Sequence, residues 1–273
     1  MYDFNFGTKE QIHEEPEKFL LFVKRLMPRW VNGIPDSEAV AVFRTLEGLR
    51  GKDVVLVETG SGASSLILFL HCALYGGKFY SWDTNVSKGA FLRSVISDAI
   101  GRVLEVDVHK VWKFVGFDSI NPHVGIPVLR ELGEKVDFGF FDSWHTLDHL
   151  MNEIRAFESV ASDRFILALD DAYYRKRSEN YSYVNMLRNK LGLAPVEEPD
   201  SNVCEPFHVE VEGYLKKIYP EVIEVESSYK VDFERDVFFE YYAGDRSFMN
   251  AMGMEEKENL GQRYKAWKVR SLI

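Results

Sequence analysis

The chain has 273 residues, 46% of them hydrophobic and 28% charged, with a formal net charge of −10. That length is enough for one large α/β domain with a substantial core, or for two small ones. The acidic balance argues against nucleic acid as a partner, because the chain repels a phosphate backbone.

Residues 1–50 read as a helical extension. Thr8 caps a helix running to Arg25, with Phe19, Leu20, Phe22, Val23 and Leu26 on its apolar side, and Pro28 closes it. Residues 30–35 form a loop, and Asp36 opens a second helix running to Leu49, ended by Gly51. Such an extension can act as a lid over a site or cover a sheet edge.

Residues 51–273 form the α/β domain. Strands are expected at 54–57, 78–82, 111–115, 136–141 and 165–169, with 103–108 competing for the third. Helices near 63–75, 87–101, 122–133 and 145–160 separate them. Alternation of this kind implies right-handed crossovers and a doubly wound, mostly parallel sheet. After the fifth strand comes an insert over about 172–220, with helices near 179–191 and 207–218. Residues 222–226 and 237–242 read as a strand pair, and 247–273 as a helical tail. An insert at the C-terminal edge of a sheet is placed to shape a substrate pocket. Cys72 and Cys204 provide neither a disulfide framework nor repeated metal-ligand spacing. No apolar run reaches the roughly 18 residues of a membrane span, and MYDFNFGTKE lacks a basic stretch followed by an apolar one, so a cytoplasmic location without membrane partners is expected.

The first strand runs into VETGSGASSL, a tight glycine turn ahead of a helix. Gly60 and Gly62 let backbone N–H groups approach a ligand, and the helix N-terminus behind them carries partial positive charge. The third glycine of the dinucleotide fingerprint falls at Ser65, so that match is incomplete. A turn that merely joins strand to helix is the plain alternative. Asp83, at the end of strand two, lies about 20 residues on, the spacing at which an acid accepts hydrogen bonds from ribose hydroxyls. It can equally cap the helix near Val86, as can Asn85. Together the two features imply a nucleoside-bearing ligand.

Strand four ends in FFDSWH and strand five in LALDDAYY. Asp142, Asp170 and Asp171 would then meet at one sheet edge, where carboxylates need a proton, a basic partner or a cation. Oxygen ligands of this kind suit Mg²⁺ or another hard divalent cation; helix caps and ion pairs are the alternative. His145, at the expected helix start, can act as a general base or hold a structural hydrogen bond. His71, His109, His123, His149 and His208 have no such convergence.

Over about residues 52–172 the chain resembles the class I S-adenosylmethionine-dependent methyltransferases, whose Rossmann-like sheet has about seven strands. The resemblance implies that Glu58 and Gly60 flank the methionine part of the cofactor, that Ser61, Gly62 and Ser64 belong to the same cofactor site, that Asp83 holds the ribose, and that Asp118 and Ser119 lie by the adenine. FFDSWHTLDHLMNEI resembles the strand-four signature of the branch with an Asp and a His three residues on, which implies that Asp142 borders the cofactor. Asp142 with Asp170 and Asp171 is similar to the metal site of the metal-dependent O-methyltransferases, of the catechol or the macrolide and aminocoumarin sugar type. That likeness implies methyl transfer to a hydroxyl of a small molecule, a sugar or natural product, with His145 as base. The catechol type carries a lysine where this chain has His145. A homodimer fits the N-terminal helices and aromatic surface. An NAD-dependent oxidoreductase, a relative with other chemistry on the same fold, and a binding module remain open.

Overall fold

The computed structural model describes residues 8–50, 54–226 and 264–271. The N-terminal region holds three helices, α1 (Lys9–Glu14), α2 (Pro16–Leu26) and α3 (Asp36–Leu46). The single helix expected over 8–25 is broken in two. Pro16 has no N–H to continue the ladder and pushes Glu15 out of the helical region, to φ −132° and ψ 59°. Thr8 does cap α1, in a capping box with Gln11. A 3₁₀ turn, Arg29–Val31, lies within the expected loop, and another, Glu47–Leu49, finishes the second helix.

Five strands alternate with helices: β1 (Val55–Thr59), α4 (Ala63–Tyr75), β2 (Lys78–Trp82), α5 (Val86–Ile96), α6 (Arg102–Leu104), α7 (Val108–Val111), β3 (Trp112–Val115), β4 (Val136–Phe141), α8 (Leu147–Glu158) and β5 (Ala161–Leu169). In place of the competing strand at 103–108 the chain leaves α6 at Leu104, turns at the left-handed Glu105 and enters α7 at Val108, with Asp107 capping α7 through His109 N. The helix expected near 122–133 is only a 3₁₀ turn, Ile126–Arg130. Asn121 Oδ1 folds back onto the N–H groups of His123 and Val124, and Pro127 removes a donor.

The rest comprises α9 (Tyr181–Lys190), α10 (Phe207–Ile218), β6 (Glu221–Glu224) and β7 (Lys265–Arg270). The described part of the expected helical tail is therefore a strand. Ala266, Trp267 and Val269 are buried, with Lys268 and Arg270 exposed, so the pattern is close to a half-buried strand. β6 pairs with β7, and the partner expected at 237–242 lies outside the described residues.

The sheet has seven strands in the order β3-β2-β1-β4-β5-β7-β6. β1 to β5 are parallel, while β7 runs antiparallel to both β5 and β6. With helices on both faces, this is the expected doubly wound, mostly parallel, Rossmann-like sheet. One core lies between the sheet and α4, α3 and α2, and includes Leu56, Phe79, Phe138, Leu66, Phe43 and Leu20. α4 is buried around most of its surface because α2 and α3 pack on its outer side. The other core joins the opposite sheet face to α8 and α10 through Phe141, Leu167, Ile154, Phe157, Val211 and Leu215. α10, expected as part of the insert, thus covers the sheet. Among the described residues no helix is long and apolar enough to cross a membrane.

Candidate ligand cavity and carboxylate–imidazole cluster

The C-terminal ends of β1, β2 and β4 meet at the glycine turn. Gly60 N donates to Trp82 O at 2.8 Å and Asp142 N to Thr59 O at 2.9 Å, tying the three strand ends together. Gly60 has φ +79°, and a Cβ there would stand 1.7 Å from the Asp142 carbonyl oxygen. Only glycine can therefore bring this turn against the end of β4.

A cavity of about 540 Å³ opens beside the turn. Of the expected ligand-holding residues, Gly60, Asp83, Asp118, Ser119 and Asp142 line it. Trp82, Thr84, Lys88, Phe117, Ser143, Trp144 and His149 complete the wall. Asp83 is anchored rather than loose. Its Oδ2 accepts from Ser61 N at 2.9 Å and lies 3.3 Å from Lys88 Nζ, and its Oδ1 accepts from Asn85 N at 2.8 Å. A carboxylate offers about four lone-pair sites, so it keeps acceptor capacity for a hydroxyl. The cap of α5 is Asn85, which accepts from Lys88 N.

Glu58, Ser61, Gly62 and Ser64 do not line this cavity. Glu58 is fully buried; Ser64 donates to one of its oxygens, and Ser65 to the other at 2.8 Å. Burial outweighs these two hydroxyls and raises its pKa from 4.5 to about 8. Its role here is to pin the first turn of α4 to the end of β1. The hydroxyls of Ser61 and Thr59 are buried without a hydrogen-bond partner, two unmet polar groups at the turn. The N-terminal extension reaches this place too. Val31 O lies 3.4 Å from where a Gly62 Cβ would be, and Trp30 packs on Phe91 of α5 at a centroid distance of 5.0 Å.

His149, to which the sequence assigns no convergent partners, lines the cavity. Its Nε2 lies 3.3 Å from Oε1 of Glu153, one helical turn on, and Glu153 is buried. Burial disfavours the imidazolium, but the Glu153 hydrogen bond and the charges of Glu153 and Asp118 prevail, and the pKa is raised. Oε1 of Glu153 also accepts from Ser119 Oγ and, at 2.7 Å, from Ser143 Oγ. The i, i+4 spacing of His149 and Glu153 is a signal the sequence does carry, but only the phase of α8, set by its Thr146 cap, turns both residues inward.

The acidic cluster differs in membership from the expected one. Asp142, His145 and Asp171 each present a ligand atom, all within 4.8 Å of one another. Asp170 is not of the set: it is buried, and its Oδ1 accepts from Asp171 N at 2.7 Å. His145 precedes α8 instead of opening it, because Thr146 is the cap and Leu147 the first helical residue. Its Nδ1 is 3.1 Å from Asp171 Oδ2. Asp171 sits at φ +47°, a left-handed conformation uncommon outside glycine, which turns its carboxylate back toward strand four. Tyr174 lies against the His145 ring at 5.0 Å, and Tyr183 of α9 meets Trp144 edge-on at 5.7 Å. The segment after β5 also braces α8, with Lys176 O and Arg177 O accepting from Leu147 N and Asp148 N.

No protein-family model matches this chain, and no curated protein does. Solved structures that it resembles include the O-methyltransferase TomG from Streptomyces achromogenes, involved in tomaymycin synthesis and in complex with SAM. The identity is 11%, over 99% of this chain and 100% of that one, with a TM-score of 0.49. An O-methyltransferase from Bacillus cereus in complex with SAH matches at 12% identity over 97% of this chain and 98% of that one, TM-score 0.48. MycE, a methyltransferase of the mycinamycin biosynthetic pathway in complex with Mg and SAH, matches at 13% identity over 66% of this chain and 42% of that one, TM-score 0.40. Likenesses at this level carry no activity or ligand across to this chain.

Proposed function

We propose that this protein is an S-adenosylmethionine-dependent methyltransferase acting on a hydroxyl of a small molecule. One observation carries the reading. One cavity at the C-terminal sheet edge has the glycine turn, the anchored Asp83, the Asp118-Ser119 pair and Asp142 in its wall, beside a carboxylate–imidazole cluster. The residues suit the cofactor: Gly60 gives close backbone approach, Asp83 retains acceptor capacity for ribose hydroxyls, and the turn holds two unmet hydroxyls.

The bound cofactor supplies an activated methyl group, so the chain's work is alignment and proton removal. Asp171 orients His145 through Nδ1, which leaves Nε2 to accept the proton of the acceptor hydroxyl. The exposed rings of Trp144 and Tyr174 flank this point and favour an acceptor with an apolar face.

A second reading is favoured by the closeness of the three ligand atoms. Asp142, His145 and Asp171 would hold a divalent cation, which would acidify the hydroxyl as a Lewis acid. Two carboxylates and an imidazole suit Mn²⁺ or Zn²⁺ better than the all-oxygen shell that Mg²⁺ favours. Transfer of labelled methyl from S-adenosylmethionine to a panel of hydroxylated sugars and catechols, with and without EDTA, tests both. Turnover that survives EDTA favours the His145–Asp171 pair; turnover lost in EDTA and restored by Mn²⁺ favours the cation. No transfer to any acceptor, together with no binding of the cofactor, would refute the function.

A further inference from the structure

Glu153 lies buried behind the cavity wall and receives three groups on one oxygen. Ser119 and Ser143 both donate their hydroxyl hydrogens to this oxygen. Both serines line the cavity. What they have left to present there is lone pairs.

We propose that Glu153 is a positioning residue that turns the Ser119 and Ser143 hydroxyls into acceptors, so that the cavity selects a ligand whose facing edge donates hydrogen bonds. The inference rests on the proposed S-adenosyl ligand and goes beyond it by assigning how the base is chosen. A 6-aminopurine offers its exocyclic N–H₂ to such a wall. A 6-oxopurine offers a carbonyl oxygen, which would face lone pairs and leave a buried acceptor unmet. An unmet or opposed hydrogen bond of this kind costs about tenfold or more in affinity. Neither serine alone would discriminate, because a free hydroxyl rotates to donate or accept; the buried carboxylate removes that choice.

The test is calorimetric titration of the wild-type chain with S-adenosylhomocysteine and with its 6-oxo analogue, S-inosylhomocysteine. The same titrations are made on Glu153→Leu and Ser119→Ala. The wild type should prefer the adenosyl ligand by about tenfold or more. In Glu153→Leu no acceptor remains behind the wall, each serine hydroxyl can turn to donate into the cavity, and the preference should shrink toward unity. Ser119→Ala removes one acceptor from the cavity and leaves Glu153 the hydrogen bond of Ser143 and the nearby His149 ring. It should also erode the preference, and it keeps the test decisive where Glu153→Leu does not fold. Equal binding of both ligands by the wild type, or an unchanged preference in the folded variants, would overturn this inference and leave the function standing. Failure of the wild type to bind either ligand would overturn both.

Discussion

Glu58→Gln isolates the charge buried beneath the glycine turn. The folded chain holds this carboxyl at a pKa of about 8, against an ordinary value of 4.5, because burial outweighs the Ser64 and Ser65 hydroxyls. A raised folded value means that the folded state retains a proton the unfolded chain gives up. The stabilising contribution is therefore complete below pH 4.5 and is lost progressively as pH rises to about 8. With about 1.36 kcal/mol per pKa unit, the full loss is on the order of 5 kcal/mol. Glutamine matches the neutral acid in size, carries no proton to lose, and still offers hydrogen bonds to both serines. Urea denaturation of the wild type and of Glu58→Gln at intervals from pH 5 to pH 9 reads the difference directly, since all other titrating groups are shared. The variant should be close to the wild type at pH 5 and more stable by several kcal/mol near pH 8. A difference that stays constant across this range would refute the neutral buried acid.

Other perturbations give separate readouts. Gly60→Ala places a Cβ onto the Asp142 carbonyl and forces alanine to φ +79°, so it should cost about 3 kcal/mol or more in denaturant stability and abolish ligand binding. Asp83→Asn keeps an acceptor for Ser61 N but loses charge; S-adenosylhomocysteine affinity should fall about 10–100-fold by calorimetry with little change in thermal midpoint. His145→Ala should lower kcat about 10²–10⁴-fold while leaving S-adenosylhomocysteine affinity intact, and an unchanged kcat would remove it from the proton transfer. Asp36→Ala removes from buried Lys24 the carboxylate whose Oδ1 lies 2.9 Å from its Nζ, and should destabilise the chain by about 3–5 kcal/mol in urea.

The parts of the fold legible in the sequence are those written by local pattern. An apolar run, a glycine turn and an apolar helix mark β1 to α4, and the aromatic strand ending in Asp83 marks β2. What stayed hidden depends on contacts distant in sequence. β7 is a near-alternating stretch in a charged tail, and only its place between β5 and β6 makes it a strand. Asp170 and Asp171 are indistinguishable in sequence, yet the left-handed backbone at Asp171 brings one to His145 while the other turns to a main-chain N–H. Glu153 looks like a surface charge until the phase of α8 buries it against Ser119 and Ser143. The hydrogen bonds from Ser64 and Ser65 that tie Glu58 to the first turn of α4 are likewise set by the folded turn and not by the motif.

The most direct measurement is calorimetric titration of the chain with S-adenosylmethionine and S-adenosylhomocysteine, each in EDTA and in Mn²⁺, with NAD as control. Saturable micromolar binding of both sulfur ligands, weakened in Asp83→Asn, with no heat from NAD, is the predicted result. Binding of NAD, or no binding of either sulfur ligand in any condition, would contradict the assignment of the cavity.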